Sequence, residues 1–462
     1  MARFERASQI WKSGTVAGLL SLALFVAGAE GARAETMALS RDEVRAMASD
    51  LVAKGRAAQA LPLAEALVKS DPTDFGAQLL ASYAARDLGQ TDKAEAYARA
   101  AWDLAKTEQQ RHSASLAMAQ AKSSGGARSS AQFWLRRAVE HAPDDRAKLA
   151  AIRDYRYVRA RNPLSFSLDF GVSPSSNINN GASTDTIWMF GLPFELEGKA
   201  QALSGVQYRA RAAVEWTVAE ARNHRTRLGF SLGGHTYTLS DEAKATAPDA
   251  KGSDYALWAA EVSVDHRRRA KDGGEWQTRF TLGHNDYGGD PMSNYVRLDA
   301  GRSFEFSKGQ SLRFGATLER QKRLDYDGYS ATIKTVSANY RQPLGPGALG
   351  VGVQLGQIDA ASVEAAHDRA RLSLDYWLDK PVAGMDLRLS ASAEQRSYDP
   401  SLLIPDGRSD TKLSVGVNAV LPQMDYMGFA PELGLTYTRN RSNSVLYDTR
   451  ELGVNVGMRS LF

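Results

Sequence analysis

Residues able to do chemistry are few in this chain, and they are scattered. There are seven histidines and no cysteine. A His-Glu-x-x-His pair would set two imidazoles on one helix face for zinc, and none occurs. Two acid–histidine neighbourhoods stand out, Asp265-His266 and His284-Asn285-Asp286. They suit general acid–base work only if both side chains reach one substrate, and neighbours on a strand face opposite ways. A hydrolase assembled from several strands of a barrel is compatible with these residues, but no spacing argues for it. Asp325-Tyr326-Asp327-Gly328 begins like a calcium loop and then lacks the remaining ligands, which makes a solvated turn the simpler reading. No glycine-rich nucleotide loop is present. The expectation is no catalytic group, no metal and no cofactor, and a protein that is not an enzyme.

Alternation is the main signal. Beyond Asn162-Pro163 the hydrophobic period becomes two, as in Leu164, Phe166, Leu168, Phe170 and Val172. Later strands oppose apolar rows to charged ones: Leu228, Phe230 and Leu232 against Arg227, Gly229 and Ser231; Leu372 and Leu374 against Arg371 and Asp375. A charge facing lipid at mid-bilayer costs roughly 2–4 kcal/mol. The charged rows are therefore expected inside a watery lumen, at Arg209, Arg211, Glu215, Arg369, Arg371, Asp375, Arg388 and Glu394.

Strand starts fall near residues 164, 204, 224, 254, 274, 294, 310, 328, 348, 367, 384, 408, 430 and 448. That predicts a transmembrane antiparallel β-barrel of about 14 strands over 162–462. Its connections alternate between mostly long and mostly short, as outer loops and inner turns do in such barrels. A soluble β-sandwich would not need that alternation. Trp216, Trp258, Trp276 and Tyr437 are candidates for the interfacial girdles. The last strand sets Leu452, Val454, Val456, Met458 and Phe462 on one face, the pattern of a barrel-assembly signal. The apolar stretch Ile187 to Phe194 in the first long connection reads as an interfacial or lumen-packed segment or an extra strand. An extra strand would spoil the even count, so it is left out of the barrel.

Residues 35–161 have helical spacing instead. Ala60, Ala64 and Leu67 recur as Ala94, Ala98 and Ala101, and Gly55 as Gly89, at a shift of 34 residues. That period matches the tetratricopeptide helix pair. About three repeats are expected, the last irregular near Gly125-Gly126. Such repeats present a concave surface that binds protein, and a helical plug without a ligand is the plainer alternative. The fold class is thus α + β in separate domains. Residues 1–34 read as a secretory signal peptide: Arg3, Arg6 and Lys12, an apolar core, then Ala32-Arg33-Ala34. An N-terminal membrane anchor would need a longer core. With no cysteine there is neither disulfide nor lipid-anchor site. A net charge of +4 and no basic aromatic stripe argue against nucleic acid.

The barrel opens with an aromatic strand running into Pro174, Ser175, Ser176, Asn177, Ile178 and Asn179. This segment, with the terminal strand and the domain order, resembles the surface lipoprotein assembly modulators of type XI secretion. The resemblance implies an outer-membrane translocator, with the helical domain in the periplasm and a surface lipoprotein or related secreted protein as client. Possible further partners are a periplasmic chaperone, the barrel-assembly machinery and outer-membrane lipid. Pro174 to Asn179 would form a functional turn beside the closing seam, or a turn that is only structural. An exopolysaccharide export porin and a passive porin are the alternatives.

Overall fold

The computed structural model describes residues 39–189, 192–306, 309–401 and 404–462, so the expected signal peptide lies outside the described residues. Among the described residues, seven helices precede the barrel: α1 (Arg41–Ala53), α2 (Ala57–Ser70), α3 (Phe75–Asp87), α4 (Thr91–Leu104), α5 (Glu108–Ser124), α6 (Arg128–Glu140) and α7 (Asp145–Arg161). Side chains cap several N-termini. Ser40 accepts from the Glu43 N–H while Glu43 reaches back, and Thr107 and Gln110 repeat that box. The repeating alanines are fully buried, including Ala60, Ala64, Ala94, Ala98 and Ala101, which lets the helices of a pair approach closely. Gly55 and Gly89 turn the first two pairs at φ of 71° and 74°, where only glycine is relaxed. Gly126, at φ 82°, does the same for the third pair. The 34-residue shift misses it because α5 is longer than α1 and α3.

The barrel is closed and antiparallel, with fourteen strands. They are β1 (Leu164–Ser175), β4 (Gly205–Glu220), β5 (His224–Leu239), β6 (Leu257–Arg269), β7 (Glu275–Tyr287), β8 (Asp290–Glu305), β9 (Ser311–Arg323), β10 (Ala331–Leu344), β11 (Gly347–Ala360), β12 (His367–Leu378), β13 (Asp386–Tyr398), β14 (Ser409–Val420), β15 (Phe429–Ser442) and β16 (Thr449–Ser460). Each pairs with its neighbour in sequence, and β1 closes the ring between β4 and β16. The largest offset from the sequence expectation is at β8, which begins at Asp290 rather than near 294.

The apolar stretch after β1 forms β2 (Thr186–Met189) and β3 (Leu192–Glu195), a separate hairpin outside the barrel. The even count therefore survives, and Phe190 and Gly191 lie outside the described residues. At the end far from the helices, one connection is unexpectedly short. Gly288 and Gly289, at φ 64° and 98°, turn β7 directly into β8. At the helical end, the connection from Val420 to Phe429 is unexpectedly long, and the helices dock on it. Phe462 is a correction to the terminal pattern. β16 ends at Ser460, and the Phe462 ring leaves the apolar row to pack edge-on against Tyr155, with centroids 5.1 Å apart. Arg136 and the helical core hold it there.

Candidate functional site

Three places bring sequence-predicted residues together. The first is the far end of the seam. Pro174 and Ser175 finish β1, and the chain then folds over the barrel. Asn177 is only 3% exposed and Ile178 5%. Asn177 Nδ2 donates to the Gly181 carbonyl and Asn177 Oδ1 accepts from the Gly181 N–H, each at 2.9 Å. Asn179 Nδ2 donates to the carbonyls of Lys199 (2.9 Å) and Gln201 (2.7 Å), while its Oδ1 accepts from the Leu203 N–H at 2.9 Å. Each asparagine thus satisfies backbone that a loop would otherwise leave unpaired. Ile178 packs with Leu203, Leu239 and with Ala243 of α8 (Asp241–Thr246), a short helix in the next far-end loop. A Cβ on Gly198 would sit 1.9 Å from the Thr246 carbonyl oxygen, so the two loops touch backbone to backbone. Ser175 and Ser176 join this cap to β16: Ser175 Oγ donates to Glu451 (2.7 Å), and Leu452 N–H donates to Ser176 Oγ (2.9 Å).

The second place is the lumen wall. Arg209 meets Asp169 of β1 at 3.3 Å, Arg211 meets Glu261 of β6 at 3.4 Å, and Glu215 holds Arg227 of β5. Arg279 of β7 reaches Glu215 on β4 at 3.6 Å. A contact that skips β5 and β6 is possible only on the concave face, so this row points inward. Asp265, 2% exposed, is the centre of the wall, bonded to Arg267, Gln277 and Arg279 and close to Arg227. Glu261 accepts from the Tyr295 hydroxyl at 2.6 Å, and Arg297 ties it to Glu319. A second group joins Asp375 to Arg388 (2.8 Å) and Arg371 to Glu394 (3.7 Å), with Arg396 completing it. Arg369 stands apart from it, its Nη2 3.5 Å from Thr335 Oγ1. Sequence parity could have found Glu261 and Arg297, each between two apolar neighbours, and Asp265 and Arg279, each with an apolar neighbour on one side (Val264 and Phe280). Asp265 and His266 do face opposite ways, His266 meeting Thr226 at 2.9 Å. His284 and Asp286 are two apart, share a face and touch at 3.2 Å, which treating the triplet as simple neighbours overlooked.

The third place is the seam itself. On its β4 side, every residue of β1 from Leu164 to Ser175 is paired. On its β16 side only Gly171, Val172 and Ser175 are, with Gly457, Val456 and Gly453. The same register would set Leu168 opposite Ser460, where β16 ends, so Leu164 to Ser167 reach beyond it. Backbone groups left unpaired at membrane depth cost roughly several kcal/mol each unless water or protein meets them. A cavity of about 1080 Å³ lies at this point, between the barrel and helices α6 and α7. It touches Phe166 and Leu168 on the outer face of β1 and Ser165 and Ser167 on the inner face. One cavity bordering both faces of a strand means that the wall is open along that edge.

The helices hold the other lip. Arg136 Nη1 donates to the Met427 carbonyl (2.9 Å), and Nη2 to Ser460 Oγ (2.9 Å) and the Phe462 carbonyl (3.2 Å). Its guanidinium also lies over the rings of Tyr155, Phe429 and Phe462. Glu140 accepts from the Met427 N–H at 2.7 Å, and Lys148 pairs with Asp425 at 3.1 Å. Leu452, Val454, Val456 and Met458 face outward in the barrel's apolar belt, all substantially exposed. Trp216, Trp258, Trp276 and Tyr437 are exposed as well.

Residues 165–462 match the family described as surface lipoprotein assembly modifier. No curated protein matches the chain. Among solved structures, Acinetobacter baumannii OccAB1 is similar at 11% identity and a TM-score of 0.35, covering 65% of this chain and 97% of that one. An outer membrane channel from Pseudomonas putida F1 has 11% identity and a TM-score of 0.30, covering 63% and 95%. A bacterial polysaccharide outer membrane secretin has 10% identity and a TM-score of 0.32, covering 64% and 98%.

Proposed function

The chain belongs to the surface lipoprotein assembly modifier family, and from that premise we propose that it delivers surface lipoproteins or related secreted proteins to the cell surface. The observation that carries this reading is the open lower seam. A sealed passive porin needs no unpaired strand edge, whereas a translocator of polypeptide needs a place where an extended chain can enter. In this reading the helices stand in the periplasm, where their tetratricopeptide-like surface holds the client or its chaperone. The charged lumen wall keeps the interior wet. No covalent chemistry is required, and folding of the client outside supplies the drive, since no nucleotide is available in the periplasm.

The test is surface proteomics of protease-shaved whole cells with and without the gene. The expected result is one lipoprotein or secreted protein lost from the surface and accumulated in the periplasm. An unchanged protein surface with loss of a glycan or of small-solute uptake would overturn the reading and leave an export porin.

A further inference from the structure

The edge of β1 from Ser165 to Ser167 lies beyond the end of β16, and from Leu168 to Phe170 it faces β16 without pairing to it. Leu164 N–H is already taken by Asn162 Oδ1 at 3.2 Å, so the bare edge starts after it. Along that edge, alternate residues aim N–H and C=O groups to a side where they form no ladder pair with β16. Side chains alternate too: Phe166 and Leu168 stand on the lipid face, Ser165 and Ser167 on the lumen face. An occupant pairing here would need the same alternation, apolar outward and polar inward.

The cavity beside the edge is strongly basic. Arg156 and Arg159 of α7 line it with Arg225 and Arg227 at the foot of β5, against one carboxylate side chain, Glu220. Arg136 also lines it but is held by the chain terminus. Arg156 and Arg159 make no ion pair among the described residues, and Arg225 meets only Glu220, at 3.9 Å. Arg227 is already held by Glu215 and Asp265, and among the described residues the buried Nε of Arg225 has no hydrogen-bond partner. The guanidinium groups of Arg156, Arg159 and Arg225 are thus left for acidic acceptors from outside the chain.

Resting on the translocator reading, we propose that this edge is the docking strand for the client. An extended client segment with alternating apolar residues and acidic side chains adds to β1 as a strand, its carboxylates meeting Arg156, Arg159 and Arg225. Entry at the edge lets the client keep its backbone hydrogen-bonded as it leaves the periplasm.

The test uses the full chain in phosphatidylcholine nanodiscs and a fluorescein-labelled nine-residue peptide alternating Val with Glu. Its controls are a peptide with Lys for Glu and one N-methylated at alternate backbone nitrogens. Anisotropy should show the acidic peptide binding at least tenfold more tightly than the lysine peptide, and N-methylation should abolish binding. The Arg156→Glu/Arg159→Glu variant should reverse the charge preference, with its barrel confirmed by heat-modifiable gel mobility. Equal binding of both charged peptides, or undiminished binding of the N-methylated one, overturns the proposal without needing any variant. So does the absence of peptide binding while charge reversal weakens association with phosphatidylglycerol vesicles, which would assign the arginines to lipid. Failure here with a client still lost from the surface in the deletion strain removes the docking edge and leaves the translocator. Specific peptide binding with an unchanged surface proteome removes the translocator instead.

Discussion

Locking the upper seam tests whether β1 and β16 must part. Val172 and Val456 are register partners, and partners in an antiparallel ladder bring their Cα atoms to roughly 4.5–5.5 Å, within disulfide reach. The chain has no other cysteine, so a Val172→Cys/Val456→Cys bridge is unambiguous. Four hydrogen bonds besides the ladder clasp the seam top. Ser173 Oγ donates to Asn455 (3.0 Å), Ser175 Oγ to Glu451 (2.7 Å), Leu452 N–H to Ser176 Oγ (2.9 Å) and Ser176 N–H to the Leu452 carbonyl (3.3 Å). At about 1 kcal/mol each they sum to about 4 kcal/mol, so the clasp opens in roughly one molecule per 10³ before the ladder is counted. A docked client strand would have to shift that balance, and a disulfide prevents it. The assay is surface display of the client in oxidised cells, with the cross-linked fraction read on a non-reducing gel. Display should fall more than tenfold and recover on brief reduction. Normal display from fully cross-linked protein would refute the reasoning and put the client through the lumen alone.

Asn177→Ala/Asn179→Ala should leave barrel insertion intact by heat-modifiable mobility. It should open the far-end cap by about 1–3 kcal/mol for each stranded buried backbone group, seen as faster proteolysis between Gly181 and Leu203 and reduced client display. Arg136→Ala removes three charge-assisted bonds to the Met427, Ser460 and Phe462 positions. Hydrogen exchange should rise at least tenfold in residues 421–428 and at the C-terminus, with the lumen strands unchanged. Asp74 caps α3 through the Ala77 N–H and meets Arg45. Burial opposes its ionisation, but those partners outweigh it and hold its pKa below the ordinary value. That stabilisation is therefore complete above the unfolded-state value of about 3.9 and fades as pH falls through the folded value. Asp74→Ala should cost about 1 kcal/mol at pH 7 by thermal unfolding, and the difference from the parent should vanish in strong acid.

The strands were legible because a barrel wall needs one apolar and one polar face, and period two writes that directly into residues such as Leu228 to Leu232. The helical pairs were legible for the same kind of reason, through buried alanines and turn glycines. Gly126 escaped because one longer helix breaks a fixed shift. Parity also placed the charged rows on one face. It could not say that Asp265 would be their centre, because its partners come from the strands on both sides as well as its own. The Pro174 to Asn179 segment could be picked out as a turn, while its partners, Gly181, Lys199, Gln201 and Leu203, lie across a long loop.

By itself the sequence determined the two-part architecture, the strand number and which face of each strand meets lipid. These follow from local periodicity and from the cost of putting charge into hydrocarbon. Only the tertiary structure decided how the ring closes. The pairing of β1 with β16 joins residues nearly three hundred positions apart, and nothing in the alternation of either strand says how far their ladder runs. Phe462 shows the same limit: its place in the pattern assigns it to the apolar row, but the Tyr155 ring, the Arg136 guanidinium over its own ring and the Arg136 hydrogen bond to its carbonyl draw it under the barrel. That displacement and the short ladder leave the wall open at the edge of β1.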